Sequence, residues 1–208
     1  MNNLNDLYAP ACDTDCEETT LLSVSSVCFD ANSIEESEII GLYMSEPDPA
    51  NPGEPLNPIT GWTDSGLAAD ATINEAAILS WIATMDNAAT GGLRFMKGIG
   101  DKPAPTTTDV TGPEGKIVKI GKKHTLNFDN LNIDNLNYAF FQKVDACGGN
   151  VHIWYITKQY IYGGLNGVKM NITGAPHVLA RGAGSIAINP VTAEWYAKTD
   201  PPRDANPA

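Results

Sequence analysis

Not one lysine or arginine occurs in the first 93 residues of this 208-residue chain, although they hold sixteen aspartates and glutamates. Residues 94–208 carry nine acidic and thirteen basic side chains, so a part at −16 is joined to a part at +4, for a net −12. Binding of nucleic acid by the first part is disfavoured, because phosphates need cations that it lacks. Three readings of the split remain: a solvated acidic surface, a lumen that repels nucleic acid, or a head-to-tail interface in which the acidic part of one copy meets the basic part of the next.

Other absences narrow the class. No apolar run approaches the roughly 20 residues that cross a bilayer, so no membrane partner is expected. The start, MNNLNDLYAPACDTDCEE, lacks a basic n-region and an apolar h-region, which argues against export; the string before Cys12 is for the same reason not a lipoprotein signal. The four cysteines (Cys12, Cys16, Cys28, Cys147) are too sparse for a disulfide scaffold and include no Cys-x2-Cys pair. They read as reduced thiols, with a Cys12–Cys16 or Cys12–Cys28 bridge as the alternative.

Catalytic signatures are missing too. His124, His152 and His177 fall on separate predicted strands, and the acidic run from Asp13 to Glu18 lacks the glycine and distal glutamate of a calcium loop. Gly98-Ile-Gly100 and Gly182-Ala-Gly184 do not continue into a phosphate-binding fingerprint, and Ser185 sits on no nucleophile elbow. Asn171-Ile-Thr173 is a glycosylation sequon without meaning in an unexported chain. No pair of carboxylates is marked out for glycoside hydrolysis. The expectation is a protein that is not an enzyme, with no cofactor and no metal.

What is present is β-branched and aromatic alternation punctuated by nineteen glycines and fourteen prolines. That balance predicts an α+β, β-rich fold: a β-sandwich or barrel with one or two packed helices and long Pro-rich loops. Residues 1–19 read as an acidic arm, 20–200 as a single β-rich domain with loop insertions at 45–71 and 101–116, and 201–208 as a flexible tail. Strands are predicted at Thr20–Phe29, Glu38–Met44 and Leu93–Met96. Ile117 to Phe128 reads as a strand pair or one strand kinked at Gly121. Val151 to Tyr162 is predicted as the longest strand, apolar on both faces and therefore central or covered by a partner. Later strands fall at Val168–Ile172, His177–Ala180, Ser185–Ile188 and Val191–Tyr196.

Helical periodicity occurs twice. Ile78, Trp81, Ile82 and Met85 form a stripe behind the capping box Thr72–Glu75, predicting a helix from Ile73 to Ala88 that stops at Gly91-Gly92. Leu136, Phe140, Val144 and Cys147, with Phe141 beside them, predict a second from Asn135 to Cys147, capped by Asp134 and stopped by Gly148-Gly149. Ser33–Glu36 offers a single turn. Five prolines between Ser45 and Thr63 forbid helix and central strand. A loop of that length suits contact with a neighbouring subunit. Trp62, at its end, is either the anchor of such a contact or a core residue pinning the loop to its own domain.

Three stretches carry a resemblance: KKHTLNFDNLNIDNLNYAFFQKVDACGG, then NVHIWYITKQYIYGG, then AEWYAKTDPPR. In texture they resemble virion structural proteins of tailed bacteriophages, the collar-ring and tail-tube type of crAss-like phages of Bacteroidetes. The likeness spans about Lys116 to Arg203 and, more loosely, Ile39 to Trp62. The Pro-rich loop and acidic first third depart from a minimal tube protein, which leaves tube, collar ring and capsid decoration open. The resemblance implies a β-sandwich or barrel with a packed helix, loops that reach adjacent subunits in a ring, and no catalytic residues.

Together these readings give an expected function: a virion component, made in the host cytoplasm, forming a ring with itself around the DNA channel. Neighbouring portal, collar or tail proteins would be its other partners, with genomic DNA only passing through the lumen. Trp62, Trp154, Tyr160, Tyr162, Trp195 and Tyr196 are candidate interface anchors, and core packing explains each of them as well. Lys116, Lys119, Lys122 and Lys123 form a cationic cluster facing either the acidic arm of the next copy or plain solvent along a guarded strand edge. The alternatives are a glycan- or host-binding module on a head fibre or capsid, and a hydrolase.

Overall fold

A computed structural model describes residues 38–63, 68–86, 93–111, 117–131, 135–147, 149–173 and 188–207. All of them belong to a unit spanning Glu36–Ala208. The acidic arm, the strand expected at Thr20–Phe29, the turn at Ser33, Gly91-Gly92, Asp134, Gly148 and the strand at His177–Ala180 lie outside the described residues, as does all but Ile188 of the strand expected at Ser185–Ile188.

The described chain contains β1 (Ile39–Ser45), α1 (Ala68–Ile82, continued by a 3-10 turn over Ala83–Asp86), β2 (Arg94–Asp101), β3 (Thr106–Thr111) and β4 (Ile117–Asn130). After these come α2 (Asn135–Cys147), β5 (Gly149–Ile156), β6 (Tyr160–Tyr162), β7 (Val168–Thr173), β8 (Asn189–Ala197) and β9 (Arg203–Ala205). Six strands run β1-β2-β4-β8-β7-β5 in antiparallel order. Pairing of Gly41–Ser45 with His152–Ile156 returns β5 to β1 and closes them into a barrel. The fold is β-rich α+β, as the composition predicted.

Alternation fills the barrel. His124, Leu126 and Phe128 of β4, Val151, Ile153 and Tyr155 of β5, Met170 and Ile172 of β7 and Val191, Ala193 and Trp195 of β8 are all buried, while intervening residues such as Thr125, Asn127 and Glu194 are half-exposed. Six strands enclose room only for side chains. A channel wide enough for a polymer therefore has no place inside one subunit.

Gly98 and Gly100 let β2 lie close to β4. A Cβ on Gly98 would stand 2.6 Å from the Phe128 ring, and one on Gly100 2.5 Å from the Asn127 carbonyl oxygen. The Gly-x-Gly string is thus a packing device. The helix α2 joins the end of β4 to the start of β5, so it covers that end of the barrel; it carries the buried Phe141 into the core. The Arg94 guanidinium lies 5.0 Å from the ring centre of Phe140 beside it.

A second apolar cluster covers the outer face of β1, β5 and β6. Ile78 and Trp81 of α1 pack there with Tyr43, Ile59, Trp62, Trp154, Ile156 and Ile161. Trp81 meets Tyr43 edge-on at 5.1 Å and Trp154 at 4.7 Å. The two-faced β5 is therefore covered by its own chain.

Four expectations need correction. The stretch expected as a loop at 101–116 contains β3, a run of threonines paired with β4; β-branched residues outweighed the flanking prolines. Val151–Tyr162 is not one strand. It breaks at Thr157, whose N–H and hydroxyl take part in a tight turn with Tyr160 (2.9 and 3.1 Å), and β6 folds back on β5. Among the described residues the longest strand is β4, with 14 residues. The tail expected to be flexible carries β9, which pairs with β6. Finally α1 starts at Ala68, ahead of the Thr72 capping box and inside the expected 45–71 insertion. The helix over Asn135–Cys147 and the kink beside Gly121 match the sequence reading: the β3–β4 register shifts between Thr108 and Asp109, opposite Gly121 and Lys119.

Candidate functional site

The Pro-rich loop is fixed to its own domain. Its turns close on themselves through Asp48 N–H to Glu54 O (2.9 Å) and Leu56 N–H to Glu46 O (2.8 Å). Ile59 N–H donates to Leu165 O (2.8 Å), Lys169 Nζ to Pro52 O (3.0 Å) and Trp81 Nε1 to Asn57 O (2.9 Å). Where the loop reaches α1, the buried Asn74 accepts from Thr63 N–H (2.8 Å), donates to Thr63 O (3.1 Å) and also donates to Asp204 of β9.

Burial also settles three of the candidate anchors. Trp62, Trp154 and Trp195 are 8%, 0% and 5% exposed, so they are core residues and not surface anchors. Trp154 Nε1 donates to Gly164 O (2.8 Å), and its ring fills the space that side chains at Gly163 and Gly167 would need. Tyr160 and Tyr162 are half-buried around Arg203, whose guanidinium lies 4.2 Å from the Tyr160 ring centre and donates to the Tyr162 hydroxyl (3.1 Å). Tyr196 alone of the six is fully presented, at 73%.

Lys122 and Lys123 stand at the barrel end opposite the β4–α2 junction. Residues 122–130 of β4 pair with β8, but 117–121 pair only with β3 among the described residues. The two strands therefore continue as a ribbon of five residues, about 16 Å of strand, beyond the last β8 partner, Ala197. Lys119 is on this ribbon; Lys122 and Lys123 stand at its root. Lys116 lies outside the described residues. Lys123 Nζ bonds Glu194 Oε1 at 2.8 Å beside Tyr196, and that hydrogen bond raises its pKa.

At the same end, residues 198–202 connect β8 to β9. Lys102 Nζ bonds Asp200 Oδ1 at 2.7 Å, and this hydrogen bond holds the Asp200 carboxyl below its usual range. Asp200 Oδ1 also lies 3.6 Å from Nδ1 of His124, a fully buried ring stacked on Trp195 at 4.9 Å and 12°. Neither His124 nitrogen has a hydrogen-bond partner among the described residues. Sequence reading passed over Lys102, Asp200, Arg203 and Asn74, because each acts through a partner distant in the chain.

Among the described residues, no three His, Cys, Asp or Glu side chains are placed to hold a metal, and no helix is long and apolar enough to cross a membrane. At this end Lys102 and Lys123 are each paired with a carboxylate, Asp200 and Glu194. Comparison with known proteins finds no matching family model, no matching curated protein and no matching solved structure.

Proposed function

We propose that this chain is a structural subunit that assembles with copies of itself, head to tail, into a ring in the collar or tail of a tailed phage. The observation that carries the reading is the β3–β4 ribbon, whose strand edges have no partner beyond one another among the described residues. A strand pair without a further partner is a site for pairing with another chain unless something covers it. The filled barrel supports a role in which the opening lies between subunits, with DNA passing through and the portal, collar or tail proteins stacked on either side. The resemblance to phage collar and tail-tube proteins supplies the setting, the virion.

The test is light scattering and negative-stain microscopy of the purified protein at low salt, alone and with the virion proteins encoded beside it. Closed rings are the expected result. Monomers at every concentration, indifferent to those proteins, would overturn the reading.

A further inference from the structure

The strand β9 buries no side chain: Arg203 and Ala205 are exposed and Asp204 is half-buried. Hydrogen bonds hold it instead, and they form a specific seat. β9 pairs with Tyr160–Tyr162 of β6. Gly163 N–H donates to Pro202 O (2.9 Å), and Asn206 donates from its backbone to Gln159 O (2.8 Å) and from Nδ2 to Thr157 O (3.2 Å). Two side chains are also recognised, Asp204 by Asn74 of α1 and Arg203 by the rings of Tyr160 and Tyr162.

The seat is built without its occupant. Ile161 of β6 is fully buried in the second apolar cluster, Tyr162 stacks on Tyr155 at 4.7 Å and 10°, and Asn74 is fixed by its bonds to Thr63. A terminal strand with no side chain in the core opens at lower cost than the elements beneath it. What it leaves behind is a strand edge and an amide already arranged for the sequence Pro-Arg-Asp-Ala-Asn at 202–206.

The connector bears on which chain supplies that sequence. Five residues, Lys198 to Pro202, lead from β8 to β9, which stands past β7, β5 and β6 in the strand order. Pro201 and Pro202 fix their own φ and keep Asp200 and Pro201 extended. Only Lys198 and Thr199 separate β8 from Asp200, which Lys102 Nζ holds at 2.7 Å. Short, stiff connectors of this kind favour exchange of a terminal element between copies, because a second chain offers the same bonds without the turn.

We infer that the seat on β6 and α1 receives the C-terminal arm, Lys198 to Asn206, of a second copy. In the exchanged form each of these bonds is made between copies, with Asp200 of one on Lys102 of the other. One-way exchange passes every arm to the next subunit, a heterologous contact that continues until a ring closes. This inference rests on the self-assembly reading and names the contact that reading needs.

Unlabelled and isotope-labelled full-length proteins, unfolded in urea and refolded together, test it. Carbodiimide joins Lys102 to Asp200 without a spacer, and peptide mass spectrometry reads which isotopes are joined. Mixed-isotope pairs are expected in the associated fraction and same-isotope pairs in the monomer. Inserting three glycines between Lys198 and Thr199 lets the arm return easily to its own seat. That variant should self-associate about tenfold or more weakly, with unchanged circular dichroism. An associated fraction with only same-isotope pairs, or an insertion variant that associates as wild type, would sink the exchange and leave self-assembly standing. Failure of the wild-type protein to associate at all would remove both.

Discussion

The Phe128 ring lies against the backbone of Gly98, with its Cζ 2.6 Å from where a Cβ would stand. The Asp129 carbonyl oxygen crowds the same point. Gly98→Ala should therefore force β2 and β4 apart and cost about 1–3 kcal/mol, as overpacking does. Gly53, with nothing within 4 Å of its would-be Cβ, is the control, and its alanine variant should stay within about 0.5 kcal/mol of wild type. Urea midpoints of the two variants decide it; equal midpoints would refute the close approach.

His124 shares the barrel interior with Trp195, and neither of its nitrogens has a hydrogen-bond partner among the described residues, Asp200 Oδ1 standing 3.6 Å from Nδ1. An unsatisfied buried polar group costs about 1–3 kcal/mol. His124→Phe keeps a stacked ring and removes both polar atoms, so its thermal midpoint should equal or exceed that of wild type. A clear drop would mean that the imidazole is hydrogen-bonded in solution.

His152 titrates against the fold. Its pKa is lowered from the ordinary 6.5, first by burial; the bond from its Nδ1 to Asn166 O opposes this, and the charge of Lys169 adds to it. A base whose folded pKa is depressed contributes stability that is complete above 6.5 and is lost as pH falls towards the folded value. Stability of the wild type should therefore decline through the acid side of pH 6.5, and His152→Phe should flatten that decline. Identical slopes between pH 7.5 and 5 would contradict the assignment.

Asn74 ties three distant pieces together: α1, Thr63 at the end of the Pro-rich loop, and Asp204 in β9. Asn74→Ala leaves the Thr63 backbone groups unpaired and should cost about 1–3 kcal/mol. Amide exchange at Arg203–Ala205 should speed up more than exchange in β4 and β8. Uniform acceleration would mean that β9 is not held through this residue.

Local pattern determined much of this protein. The period of two in Ile117–Phe128 and Val168–Ile172, the period of 3.6 in Ile73–Ile82 and Asn135–Cys147, and the density of proline after Ser45 were each legible because backbone geometry repeats within a few residues. So was the clustering of lysines along β4. Tertiary structure decided the rest, since partners far apart in the chain determine which strand edges are satisfied. Pairing with β4 made TTTDVT a strand, pairing with β6 ordered the tail, and the β1–β5 contact closed the sheet into a barrel. The same distant contacts buried Trp62, Trp154 and Trp195 in the subunit's own core and left Tyr196 outside. An aromatic side chain has the same composition in a core as at an interface, and only the packing around it separates the two.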